Sequence, residues 1–152
     1  MKFLVLSHFD QKIGPRIFIA VGNKLQRNYL DEIPRYMDYH ENGYFIHEHR
    51  SIKSANMIFN IDSSIARGES EIIMISVVLI EDNTDPRIYY QVLEQFVEQL
   101  KNIRGAYKGF HIDNNNLEGV QENYDKIEAL MHSTYKTFPL EPYSLSKMKL
   151  IF

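Results

Sequence analysis

Residues 3–22, FLVLSHFDQKIGPRIFIAVG, contain two apolar runs that flank a short polar link. Gly14 can adopt a positive φ angle, and Pro15, which lacks an amide hydrogen, suits the start of a second strand. Strands joined by so short a link pair antiparallel. The stretch therefore predicts a β-hairpin with strands at residues 2–9 and 16–22. Nearly every position of the first strand is apolar, which indicates a central strand covered on both faces.

Composition limits the classes of function. A chain of 152 residues with 44% apolar and 24% charged residues is typical of one soluble globular domain. Its formal charge of −3 offers no large basic field, so we expect no nucleic-acid partner. The longest apolar run, residues 72–80, is too short for a transmembrane segment of about 20 residues. The absence of cysteine excludes disulfides and thiolate sites and favours a cytoplasmic location.

The segment after the hairpin predicts a first helix that contains a proline. Residues 25–43, LQRNYLDEIPRYMDYHENG, place apolar side chains at helical spacing. Pro34 cannot donate the backbone hydrogen bond of a helix interior. Either the helix begins near Asp31, with Pro34 in its first turn, or it is kinked there.

The rest of the chain predicts three more strands and two more helices. Strands are expected at residues 44–50, 54–62 and 71–82, and the last of these is β-branched and almost wholly apolar. Asp85 and Pro86 suit the start of a helix that Gly105 closes, and a last helix is expected at residues 117–135. The order β-β-α-β-β-β-α-α predicts an α/β (α+β) sandwich. Its five-stranded antiparallel sheet carries one helix on one face and two on the other.

The expected core joins the strand at residues 71–82 to the apolar face of the helix that Gly105 closes. Residues of both elements recur at the spacing of a buried face: Ile75, Val77, Leu79, Phe96 and Leu100.

Several groups of polar residues are candidates for catalytic or metal sites. His47 and His49 share a face of a predicted strand and could bind zinc with His40 or Glu41, but no motif places a third ligand. Ser7 and His8 are neighbours in a strand and point to opposite faces, so they do not form a hydrolase pair. We therefore predict no catalytic residue, no metal site, no cofactor and no enzyme.

Arginine and tyrosine residues offer weaker signals. Arg67 lies in a predicted turn and could reach a nucleotide on a partner, but no phosphate loop or magnesium ligand set accompanies it. Tyrosines crowd the first helix and its end, at positions 29, 36, 39 and 44. They either cover the sheet edge or form an exposed aromatic surface suited to a protein interface.

The hairpin motif HFDQKIGPRIF, residues 8–18, resembles the opening of longin-like domains from trafficking and GTPase-regulatory proteins. Nitrogen permease regulator-like proteins and the folliculin group also place a Gly-Pro pair there. Residues 66–80, ARGESEIIMISVVLI, look like the loop and core strand of archaeal longin-like proteins. The resemblance covers residues 1–138 and leaves residues 139–152 as a tail. With no SNARE heptads after the domain and no DENN domain, the chain is similar to a free-standing longin.

The resemblance implies a non-catalytic interaction module. Longin-like domains pair with one another or with roadblock domains and form platforms for small GTPases in trafficking or signalling. Pairing could be with a second copy or a different chain, and membranes would be reached through partners. Carried over by position, the partner-binding residues would be Arg16, Phe18, Tyr29, Ile33 and Tyr36. The alternative from the element order is a small-molecule sensor of the PAS or GAF type.

Overall fold

A computed structural model of the chain describes residues 1–22, 29–114 and 116–138. Its five strands are β1 (Lys2–Asp10), β2 (Gly14–Gly22), β3 (Gly43–His49), β4 (Ile52–Asp62) and β5 (Ser70–Ile80). They form one antiparallel sheet in the order β2-β1-β5-β4-β3, which puts β2 and β3 at its edges. The predicted hairpin is formed by β1 and β2, which pair Asp10 with Gly14 at their turn.

Three α-helices follow the sheet: α1 (Tyr90–Lys101), α2 (Ala106–Gly109) and α3 (Val120–Lys136). The predicted order of elements and the five-stranded antiparallel sheet are confirmed. The sequence analysis missed α2, because a four-residue helix is too short to produce a periodic pattern.

The first predicted helix is a short 3-10 helix instead of a longer α-helix. It spans Ile33–Asp38 and has Pro34 in its first turn, so the first of the two alternatives describes it better than the kink. Proline is tolerated there because the first amide groups of a helix have no intrahelical partner. Residues 25–28 of the predicted helix, and the predicted tail at residues 139–152, lie outside the described part of the chain.

Two apolar clusters lie on opposite faces of the sheet. The larger one joins the sheet to α1 and α3 and contains all five of the predicted core residues: Ile75, Val77, Leu79, Phe96 and Leu100. The smaller one lies under the 3-10 helix and includes Phe3, Val5, Ile33 and Met37. Side chains of β1 alternate between the two clusters, which confirms that this strand is covered on both faces.

The start of the helical segment before α1 has the predicted cap. The Asp85 carboxylate accepts a hydrogen bond from the Arg87 amide at 3.0 Å, and Pro86 begins a 3-10 helix, Pro86–Tyr89. The Asp85 carboxylate also binds the Arg87 guanidinium at 2.7 Å. Hydrogen bonds from the Arg87 side chain and amide hold the pKa of Asp85 below its usual value.

This cap gives a prediction with a pH dependence. Asp85→Ala should lower the free energy of unfolding by about 0.5–2 kcal/mol, because the Arg87 amide loses its acceptor. A depressed folded-state pKa contributes stability above the unfolded-state pKa, and that contribution disappears as the pH falls through the folded-state pKa. Urea unfolding at pH 7 and at pH 3 should therefore show a larger difference between wild type and variant at pH 7. Asp85→Asn, which keeps the cap oxygen, is the matched control; an equal loss in both variants would contradict the capping role.

Candidate functional site

The sheet and the α2–α3 connection bring three ionisable side chains together: His8, Glu71 and His111. His8 lies near the end of β1, and Glu71 is the second residue of β5, the strand that pairs with β1. His8 lies two positions after Leu6, and Glu71 lies two positions before Ile73. Leu6 and Ile73 belong to the larger apolar cluster, so His8 and Glu71 point to the face covered by the helices. His111 follows directly after α2 and the buried Phe110.

The Glu71 carboxylate lies between the two imidazoles. Its Oε2 contacts Nε2 of His8 at 2.9 Å, and its Oε1 contacts Nε2 of His111 at 2.5 Å. His8 and Glu71 are each only 2% exposed, whereas the side chain of His111 is 28% exposed. The cluster is therefore buried on the sheet side and opens toward solvent at His111.

Hydrogen bonds keep Glu71 ionised in spite of its burial. Burial by itself raises the pKa of this carboxyl, but the hydrogen bonds from His8 and His111 outweigh burial, and the pKa lies below its usual value. A third hydrogen bond comes from the Ser63 hydroxyl, which donates to Oε1 at 3.1 Å. A buried carboxylate thus accepts bonds from three side chains.

The surroundings of the cluster hold its members in place. The Ser63 hydroxyl also accepts a hydrogen bond from the Ala66 amide at 3.1 Å, which anchors it to the loop before β5. The His8 ring stacks on Phe110 with centroids 5.1 Å apart. These contacts fix the orientation of both His8 and Glu71.

The histidines that the sequence analysis weighed for zinc have other partners. His47 stacks on Tyr36 with ring centroids 4.1 Å apart, and His40 stacks on Phe45 at 3.7 Å. Burial, His40 and His49 all lower the pKa of His47. Within the described residues, these histidines belong to no group of three potential metal ligands.

The predicted partner-binding residues lie on two faces of the sheet. Arg16 and Phe18 are on the helical face: Arg16 lies 3.7 Å from the Asp10 carboxylate, and Phe18 packs against Phe110 and Tyr124. Tyr29 is 51% exposed, whereas Ile33 is 1% exposed and belongs to the smaller apolar cluster.

Tyr36 is half-buried against β3 by its stacking on His47. Ile33 is closed off by its own chain, because the 3-10 helix turns this side chain onto the sheet. Of the predicted partner-binding residues in that segment, Tyr29 is exposed and Tyr36 is partly accessible.

A groove lies between the two groups of predicted partner-binding residues. It runs beside β2 with a volume of about 520 Å³ and is lined by Phe18 on the strand, Leu30 and Asp31 before the 3-10 helix, and Tyr124 on α3. Leu30 is the chain neighbour of Tyr29. The groove therefore joins Phe18 to the residues next to Tyr29 along one edge of the sheet.

Sequence reasoning missed the His8, Glu71 and His111 cluster. Glu71 is separated from His8 by 63 positions and from His111 by 40, so no local motif links them. One signal was available: His8 and Glu71 are polar residues within almost wholly apolar strands, and a buried polar residue needs a partner.

Comparison with known proteins identifies the fold. No protein-family model matches the sequence, and no curated protein matches it. Among solved structures, the chain is similar to the K. lactis Lst4 longin domain, with a TM-score of 0.53 and 16% sequence identity. The match covers 90% of this chain and 96% of that domain. The chain therefore has a longin-like fold, as the Gly-Pro hairpin motif predicted.

The described helices include none with the length and apolar character needed to cross a membrane.

Proposed function

We propose that this protein is a non-catalytic, longin-type interaction module that acts in trafficking or signalling. It pairs with a second longin-like or roadblock domain, in a homodimer or a heterodimer, and the pair forms a platform that binds a small GTPase. It works in the cytoplasm and reaches membranes through its partners. The observation that carries the proposal is the longin-like fold over 90% of the chain.

Exposed aromatic residues support a pairing surface beside the 3-10 helix. Tyr29 and Tyr39 are both exposed, and tyrosine is one of the residues enriched in protein interfaces. Aromatic rings bury a large area with few rotatable bonds, which favours association. We assign the surface to Tyr29 and Tyr36, with Phe18 and Arg16 at its β2 side. Ile33 supports it from below.

The first test measures self-association of the untagged wild-type chain by sedimentation velocity over a range of concentrations. Tyr29→Glu should weaken association by roughly 10-fold or more, because truncating an aromatic anchor at an interface centre commonly costs about 2 kcal/mol. Adding Tyr36→Glu should abolish it. Circular dichroism checks the fold of each variant, because Tyr36 also stacks on His47.

The matched control is Tyr90→Glu. Tyr90 is an exposed tyrosine at the start of α1, away from the proposed surface, and its replacement should leave association unchanged. Equal weakening by Tyr90→Glu would show that the assigned surface is wrong.

The second test addresses heterodimers. The wild-type chain and Tyr29→Glu are used as parallel baits in extract from the source cell, and retained proteins are identified by mass spectrometry. A longin or roadblock protein, or a small GTPase, retained by wild type and lost with Tyr29→Glu supports the proposal. A wild-type chain that is strictly monomeric and retains none of these proteins would refute it.

A further inference from the structure

We propose that His8, Glu71 and His111 bind one Zn²⁺ ion. One ligand atom from each of the three side chains lies within 4.8 Å of the other two. Two imidazole nitrogens and one carboxylate oxygen are a common protein donor set for zinc, with the fourth position left to water or another ligand. The inference concerns a metal site and is independent of the pairing surface.

The geometry is close to that of a bound site. Zinc bonds to imidazole and carboxylate are about 2.0–2.2 Å long, so ligand atoms at tetrahedral angles lie roughly 3.3 Å apart. The Glu71 oxygens lie 2.9 Å from His8 Nε2 and 2.5 Å from His111 Nε2. Each Glu71–histidine pair would have to separate by less than about 1 Å to accommodate the ion. The three ligand atoms already lie within 4.8 Å of one another, so they can converge on one ion. The exposed position of His111 makes it the side chain that moves.

The charge of the cluster favours a cation. Within the described residues, no lysine or arginine forms an ion pair with the buried Glu71 carboxylate. Its partners are a hydroxyl and two imidazoles, and an imidazole carries a positive charge only when it is protonated. Burying a carboxylate without a compensating charge is costly. A divalent ion shared with the imidazoles compensates this charge directly.

The surroundings of Glu71 match what a metal site requires. Ligating carboxylates are usually held by a further hydrogen bond, which the Ser63 hydroxyl donates to Glu71. Nδ1 of His8 is buried and has no hydrogen-bond partner in the described part of the chain. Nδ1 would carry the ring proton when Nε2 is a zinc ligand, and it would do so without the hydrogen-bond acceptor that most ligating imidazoles have.

Space for a fourth ligand lies on the open side of the cluster. A cavity of about 600 Å³ is lined by His8, Glu71 and His111 together with the hairpin turn and the segment after α2. A water molecule can therefore reach the ion from solvent. The site would tie β1, β5 and the α2–α3 connection to one another.

The test uses untagged full-length protein that has been treated with EDTA and dialysed. Isothermal titration with ZnCl₂ should give one ion per chain. His111→Ala should weaken binding by about 100-fold or more, since even loss of an outer partner of a ligand costs roughly 10–100-fold. Because zinc binds the folded state, a 100-fold excess over its Kd should raise the Tm of wild type by roughly 5–10 °C.

Two controls separate this site from other histidines. His132→Ala removes an exposed histidine of α3, and His47→Ala with His49→Ala removes the pair on β3; both proteins should bind zinc like wild type. Glu71→Gln is a second ligand variant, which keeps the side-chain shape and should also lose binding. If a ligand variant does not fold, NMR of wild type decides: zinc must shift the ring resonances of His8 and His111. Absence of stoichiometric binding, or binding lost only in the β3 variant, would overturn the proposal.

Discussion

Replacing Leu100 with alanine should lower the free energy of unfolding by about 2–5 kcal/mol. Leu100 is 0% exposed and lies in the larger apolar cluster, near the C-terminal end of α1. Removing its side chain loses the transfer free energy of the buried atoms and leaves a cavity between the helix and the sheet. Urea unfolding, followed by circular dichroism and extrapolated to zero denaturant, measures the change.

Gln99→Ala is the matched control for this variant. Gln99 is the preceding residue of the same helix and is exposed, so its replacement should change the free energy of unfolding by less than about 0.5 kcal/mol. A loss below roughly 0.5 kcal/mol in Leu100→Ala would contradict the burial of the α1 stripe against the sheet.

The elements that could be predicted are those whose pattern is local. The α1 stripe repeats at helical spacing, and β5 is an unbroken apolar run, so each element carries its own signal. The hairpin is equally clear, because Gly14 permits the positive φ angle of the turn and Pro15 suits the start of a strand. Short connections explain the antiparallel pairing of β1 with β2, β3 with β4 and β4 with β5, whereas the pairing of β1 with β5 depends on the tertiary structure.

The elements and contacts that could not be predicted depend on the tertiary structure. Residues 29–38 have helical spacing, but Pro34 and the surface beneath them give a 3-10 helix that buries Ile33. The resemblance transferred Ile33 to the partner surface by position in the chain, and position does not determine which way a side chain faces. Which of the tyrosines are exposed also depends on tertiary packing: Tyr36 and Tyr44 are half-buried, whereas Tyr29 and Tyr39 are exposed.

The candidate site depends on both kinds of information. The apolar setting of His8 and Glu71 in their strands is visible in the sequence, but their meeting requires the antiparallel register of β1 and β5. His111 reaches them only because α2, which has no sequence signal, turns the chain back over the sheet. His47 and His49 do share a local pattern, but His47 instead stacks on the Tyr36 ring.

Glu71→Ala should destabilise the protein by about 2–6 kcal/mol, measured by urea unfolding at pH 7 in the presence of EDTA, because each of two buried groups left without a partner costs about 1–3 kcal/mol. The chelator removes any contribution from bound metal, so the result reports the side-chain network alone. The variant leaves Nε2 of His8 and the hydroxyl of Ser63 without the acceptor they now share, in a region where His8 is almost fully buried. A buried polar group that loses its partner retains its full desolvation penalty, and here two such groups are affected.

Two further variants show which part of the loss comes from the network. Asp62→Ala removes an exposed carboxylate at the end of the neighbouring strand β4 and should change stability by less than about 0.5 kcal/mol. Glu71→Gln keeps an oxygen that can accept one of the hydrogen bonds, so its loss should lie between those of the other two variants. If Glu71→Ala cost less than about 1 kcal/mol, the carboxylate would not be holding β1, β5 and the α2–α3 connection together. A large loss in Glu71→Ala with a small loss in Glu71→Gln would show that hydrogen bonding outweighs charge in the metal-free protein.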